Sequence, residues 1–208
     1  IVEFYDIAGL VKGANKGEGL GNQFLNHIKE TQAIVEVLRC FPSSEIIHVE
    51  NSVDPIRDLE ILNTELALKD LETLEKNFKK VAASGGGEPR PAIAGREGEK
   101  DLEAFLAAKS ALEKGDLLSH QSYVPIRANR YIRELNLLTA KPQIYLLNGK
   151  PEDMPQSLID RIKSLGADYV TIDLGSPSIN SGLNQMIQKS YQILNLISFF
   201  TTGEDETR

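Results

Sequence analysis

Asp6 and Gly9, spaced as D-x-x-G directly after the apolar run Ile1-Val2-Glu3-Phe4-Tyr5, are the residues of this chain best suited to chemistry. A carboxylate at the end of a strand can hold Mg²⁺ through water. A glycine three residues on has no Cβ, so its backbone N–H can approach a terminal phosphate closely. The stretch that follows, Leu10–Asn22, carries glycines at 13, 17, 19 and 21 before the helix-like Gln23–Thr31. So glycine-rich a loop between strand and helix is costly to order, and an ordering ligand is one use for it; a ligand-free surface loop is the alternative. A second polar group, Asn148-Gly149-Lys150-Pro151-Glu152, emerges from the apolar run Ile144–Leu147. Asn-Gly is a leading turn dipeptide, so these residues read either as a tight turn or as a ligand-facing loop. Histidine suits proton work near neutral pH, but His48, in the loop after Cys40-Phe41-Pro42, reads by itself as a surface-loop residue. His27 and His120 have no metal-like spacing to each other or to Cys40, which argues against zinc.

The elements that must position these groups alternate. Ile1–Tyr5 and Ala33–Cys40 read as strands flanking the helix Gln23–Thr31. Asp54-Pro55 reads as an N-cap followed by Pro at the first helical position. Behind it Leu59, Leu62, Leu66, Leu68, Leu71, Leu74, Phe78 and Val81 recur at helical steps to about Ala83. The run Ser84–Pro91 breaks that helix, and Glu97–Leu118, with Leu102, Phe105, Leu106 and Leu112, supplies a second. Two striped helices joined by a loop form an antiparallel hairpin. A third helix is expected over Pro125–Leu138, then strand 142–147, helix Pro155–Leu165, strand Ala167–Ile172 and helix Leu183–Leu196. The expected fold class is α/β: a doubly wound parallel sheet interrupted by an inserted helical hairpin.

The segments 3–41, EFYDIAGLVKGANKGEGLGNQFLNHIKETQAIVEVLRCF, together with Ile46-Ile47-His48-Val49, Asp54–Asp58, Asn63–Leu71, Lys141-Pro142, Gly182-Leu183-Asn184 and Phe199–Arg208, resemble the YchF/Obg-like ATPases. The resemblance covers about two thirds of the chain and is weakest over 84–130 and 148–181. It implies a P-loop-type sheet of the Obg kind with a coiled-coil insertion. Residues 1–53 and 139–196 would form the nucleotide domain, 54–138 the helical insertion, and 197–208 the entry to a TGS domain. It makes Asp6-Ile7-Ala8-Gly9-Leu10 the switch II stretch, with Asp6 holding Mg²⁺ through water and Gly9 meeting the γ-phosphate. Leu10 stands where Ras-like enzymes carry a water-positioning glutamine, and His48 becomes the candidate catalytic residue.

No G-x-x-x-x-G-K-[ST] occurs; the Gly149-Lys150 pair is followed by Pro151. Because that loop precedes D-x-x-G in the family, the expected reading is a fragment of a longer protein, inactive alone. Asn148, Gly149 and Glu152 fall where the family recognises the base. GTPases place N-K-x-D there, whose aspartate accepts guanine N1–H and N2–H₂. YchF-like proteins use N-x-x-E and are associated with ATP, and here the glutamate comes one residue late. ATP is therefore expected over GTP, and the family makes the ribosome the partner. Lys69, Lys76, Lys79, Lys80, Arg90, Arg96 and Lys100 gather near the hairpin, as a phosphate-facing patch or a solvated face. Two further classes stay open: a protein- or ribosome-binding module with degenerate nucleotide chemistry, and a purely structural hairpin, which leaves the glycine loop unexplained.

Composition bounds these readings. The 208 residues are 41% hydrophobic and 25% charged with a net charge of −7, the profile of a globular chain that does not coat DNA. The single cysteine argues for a reducing compartment. No stretch approaches the roughly 18 apolar residues of a membrane span. A cytoplasmic location is expected, with an organelle as the alternative.

Overall fold

The computed structural model describes residues 2–6, 27–42, 52–83 and 96–199; within its helices, the side chains of 79–83 and 96–99 lie outside that description. Three strands, β1 (Ile34–Arg39), β2 (Gln143–Asn148) and β3 (Asp168–Ile172), form a sheet in the order β1-β2-β3. Both pairings are parallel, with Val35 opposite Ile144 and Leu146 opposite Val170. Parallel strands need long crossovers, and these supply helices to both faces. On one face Leu38, Tyr145 and Leu147 pack against Leu59 of α1 (Pro55–Ala83) and against Leu158 and Ile162 of the helix Gln156–Ser164. On the other, Ile144, Leu146, Val170 and Ile172 pack against Met186 of the helix Asn180–Ile193. That helix approaches closely because residue 182 is glycine; a Cβ there would stand 2.8 Å from Ile172 Cγ1.

α1 begins as the sequence indicates, with Asp54 Oδ1 accepting the Arg57 N–H at 3.1 Å. Its first half lies on the sheet. Its second half pairs with α2 (Arg96–Glu113): Phe78 stacks on Phe105 at 4.6 Å, and Leu74 joins Ala108 and Leu112 in a second core. Contacts that run down one helix and up the other make the hairpin antiparallel. Leu68 and Leu106 depart from the expected stripe and are 38% and 54% exposed. α2 also ends earlier than expected, at Glu113, because Gly115 takes φ +79°, the left-handed stop that glycine adopts without steric cost.

Two expected elements are corrected. Residues 2–6 carry no strand, and Phe4 and Tyr5 are 55% and 70% exposed. A strand needs a neighbour for its backbone groups, and among the described residues none flanks this one. The single helix expected over 125–138 is two short ones, α3 (Val124–Ala128) and α4 (Arg130–Glu134). Asn129, extended at ψ 131°, ends the first and caps the second by accepting the Ile132 N–H at 3.2 Å. The helix Gln156–Ser164 is α5 and Asn180–Ile193 is α6. Arg161 of α5 grips Glu60 of α1 through two hydrogen bonds, at 2.6 and 3.2 Å.

Beneath α1 lies a polar cluster that no sequence pattern announces. The Tyr145 hydroxyl is within hydrogen-bond reach of Asn63 and of Gln143 Oε1. Glu36, opposite Tyr145 in the register, is buried, and neither of its carboxylate oxygens has a partner among the described residues. Burial pushes its pKa up to about 8.

Candidate functional site at the carboxyl ends of the strands

In a parallel sheet the carboxyl ends of the strands, with the loops leaving them, are where ligands bind. Here Asn148 and Gly149 stitch all three ends together. The Asn148 carbonyl accepts the Cys40 N–H at 2.8 Å, and the Gly149 N–H donates to Ile172 O at 3.1 Å. The Asn148 side-chain oxygen accepts the Leu174 N–H at 3.2 Å, tying the loop after β2 to the loop after β3. Gly149 sits at φ +154°, and a Cβ on it would meet Met154 Cε at 3.2 Å and Cys40 Cβ at 3.5 Å. The tight turn expected at Asn-Gly is not formed: Asn148 is the last residue of β2 and Gly149 a bend, and the two lead into Lys150–Asp153.

Those residues form a single 3-10 turn, Pro151–Asp153. Asp153 closes it, with Oδ2 accepting the Lys150 N–H at 3.1 Å while its own N–H donates to Lys150 O at 2.9 Å. Glu152 and Lys150 point to solvent. Asp153 is a site residue that sequence reading passes over. Its signal is the spacing of a carboxylate three residues after the turn's first N–H, with Pro between, the arrangement that caps a helical turn. Across the rim, Asp173 Oδ1 accepts the Gly175 N–H at 3.0 Å. Arg39 stands 4.8 Å over the Phe41 ring and donates from Nε to Phe41 O at 3.1 Å.

Cys40 is a small buried hydrophobe at this end of the sheet. Burial first, then the charges of Asp153 and Asp58, push its thiol up to about 11, so it stays protonated and inert.

The structure brings Asn148, Gly149 and Glu152 to one end of the sheet. Asp6 is exposed and makes no hydrogen bond to that rim among the described residues. Ile7, Ala8, Gly9, Leu10 and His48 lie outside the described residues. Among the described residues no group of three His, Cys, Asp or Glu could hold a metal. Of the basic residues near the hairpin, Lys69 and Lys76 both pair with Glu72, which lowers its pKa, so this part of the patch is neutralised locally. Lys100 is exposed, and the side chains of Lys79, Lys80, Arg90 and Arg96 are outside the description. No described helix is long and apolar enough to cross a membrane.

No family model matches the chain. Individual proteins do. Obg-like ATPase 1 of Saccharomyces cerevisiae is 36% identical over 234 residues, covering 98% of this chain and 58% of that protein. The ribosome-binding ATPase YchF of Escherichia coli O157:H7 is 37% identical over 237 residues, covering 100% of this chain and 62% of that protein. The protein of the same name from Bacillus subtilis is 33% identical over 233 residues. The solved structure of the Schizosaccharomyces pombe YchF GTPase superposes with a TM-score of 0.68 at 32% identity, covering 98% of this chain and 61% of that one. The chain thus spans about three fifths of the length of these relatives. With a parallel sheet, an inserted helical hairpin and relatives that match along nearly the whole of this chain, the chain belongs to the YchF/Obg-like ATPase family.

Proposed function

We propose that this chain is part of an Obg-like ATPase that binds and hydrolyses ATP with Mg²⁺ and works at the ribosome. The observation that carries the reading is the stitched rim. Asn148 joins the ends of all three strands and presents Lys150–Asp153 at the edge where doubly wound sheets take ligands. The relatives named ribosome-binding ATPases supply the activity and the partner.

In this reading Asn148, Gly149 and Glu152 face the base. Adenine offers an N6–H₂ donor and an N7 acceptor to such groups. Position 151 is Pro, so nothing there accepts guanine N1–H and N2–H₂; that favours ATP, although one relative is named a GTPase. Asp6 would hold Mg²⁺ through water, and the metal would offset charge on the phosphates. Gly9 would meet the γ-phosphate and His48 would orient the attacking water. Residues 1–53 with 139–196 make the nucleotide domain, 54–138 the arm that meets a partner. The place of action is the cytoplasm, with an organelle that holds ribosomes as the alternative.

A second reading, a ribosome- or protein-binding module with degenerate nucleotide chemistry, is favoured by one feature. Glu152 lies one position late, on a turn that Asp153 closes. Steady-state phosphate release by the full-length protein separates the two. The first reading expects Mg²⁺-dependent ATP turnover that Asp6→Asn and Gly9→Ala each abolish. Variants turning over ATP at the parent rate would reject the assignment of Asp6 and Gly9, and a parent without turnover would leave the binding module.

A further inference from the structure

Lys141 is 7% exposed, and all three of its ammonium protons are used. Nζ donates to Lys29 O at 3.1 Å, Thr31 O at 2.6 Å and Asn136 Oδ1 at 3.1 Å. Two of these acceptors are carbonyls where the helical turn at 27–30 ends, the negative end of that element. Asn136, held at φ +49°, donates back from Nδ2 to Lys29 O at 2.8 Å. The segment that leaves the glycine-rich loop is therefore clamped from the far side of the sequence, by residues more than 100 positions away.

The same short stretch grips α1. Asp70 is fully buried midway along α1 and accepts three hydrogen bonds: Leu138 N at 2.8 Å, Thr139 N at 2.7 Å and Thr139 Oγ1 at 2.6 Å. Ile28, Leu66 and Leu138 close the joint with an apolar contact shared by the three elements. Asp70 lies between the half of α1 seated on the sheet at Leu59 and the half paired with α2 at Leu74 and Phe78. α1 is a continuous helix of 29 residues, about 43 Å long, so tilting it at Asp70 moves the whole arm.

We propose that Lys141 and Asp70 form a joint that couples the segment following the glycine-rich loop to the tilt of the helical arm. A shift of the 27–31 carbonyls drags Lys141 and the 136–139 turn, and the turn passes the shift to Asp70. Saturated hydrogen bonds at both ends make the joint stiff, since releasing any one leaves a buried polar group unpaired. The joint rests on the reading of the glycine-rich loop as nucleotide-responsive, and gives that site an output: the arm reports nucleotide state to the partner.

The test uses the full-length protein with spin labels on Glu103→Cys of α2 and Lys163→Cys of α5, both exposed positions. Distances are measured by double electron–electron resonance without nucleotide, with ADP and with a non-hydrolysable ATP analogue. The parent's distance is expected to differ between ADP and the analogue. Lys141→Met is expected to abolish that difference while nucleotide affinity is retained, and Lys141→Arg to restore part of it. Where Lys141→Met does not fold, Asn136→Gly suits the left-handed backbone and removes the Asn136 bridge, with a partial loss expected because Lys141 keeps its bonds to Lys29 O and Thr31 O. A difference that survives undiminished in Lys141→Met or Asn136→Gly overturns the joint, and so does a parent that hydrolyses ATP without moving the arm; the hydrolase reading then stands. A parent that binds no nucleotide removes the hydrolase reading instead. The joint is then judged without nucleotide: Lys141→Met must broaden the distance distribution, and an unchanged width overturns it.

Discussion

The side-chain carbonyl of Asn148 accepts the backbone N–H of Leu174 at 3.2 Å, so the loops after β2 and β3 are held as one surface. Asn148→Ala removes that bridge and leaves its backbone bond to Cys40 in place. The expected result is faster amide exchange at 173–176 and nucleotide affinity weakened by about 1 kcal/mol, the usual worth of such a bond. Asn148→Asp keeps an acceptor for Leu174 and is expected to protect those amides. Equal exchange in parent and Asn148→Ala would show that the bridge does not organise the rim.

In the proposed function, base preference turns on 151 and 152. Pro151→Asp places a carboxylate where guanine N1–H and N2–H₂ would be met, and is expected to raise GTP affinity by ~1–3 kcal/mol, the scale of a charged hydrogen bond. Glu152→Ala is expected to weaken ATP binding without favouring GTP. Competition of ATP and GTP for a fluorescent analogue, in the full-length protein, measures both. A parent that prefers GTP and loses the preference in Glu152→Ala would make the late glutamate a guanine clamp.

Glu36 predicts a pH dependence. Its pKa rises from 4.5 unfolded to about 8 folded because burial penalises the carboxylate. Between those values the unfolded chain has released the proton and the folded chain keeps it, so stability falls as pH rises through this window and levels off above it. Glu36→Gln cannot ionise. Urea unfolding is expected to show the variant more stable than the parent by on the order of a few kcal/mol at pH 8, with little difference at pH 4.5. Parallel stability curves across the window would mean that Glu36 has found a partner.

Gly166 sits at φ +69°, and a Cβ there would stand 2.6 Å from His120 Cδ2. Gly166→Ala is expected to cost about 1–3 kcal/mol from the left-handed backbone and the clash together. Measured against His120→Ala, which loses its own cap bond to Ser122, adding Gly166→Ala should cost only the backbone share. Thermal melts of the two single variants and the double variant separate the contributions, and an undiminished loss on the His120→Ala background would rule out the clash.

Much of this molecule is legible along the chain because it is decided locally. The Asp54 cap, the stripe that buries Leu59, Leu66 and Leu74, and the apolar strands each follow from backbone preferences and the period at which side chains meet solvent. The place of Asn148-Gly149 at the end of a strand is legible for the same reason. Tertiary contact decided the rest. Whether 2–6 is a strand depends on a neighbour for its backbone, and whether 125–138 is one helix depends on Asn129 finding a better bond as a cap than as an interior residue. Asp70 meets Thr139 across 69 positions and Lys141 meets Thr31 across 110. No short-range pattern records such pairs, because the groups that satisfy Asp70 and Lys141 are mostly backbone N–H and C=O groups, whose sequence carries no mark of the encounter.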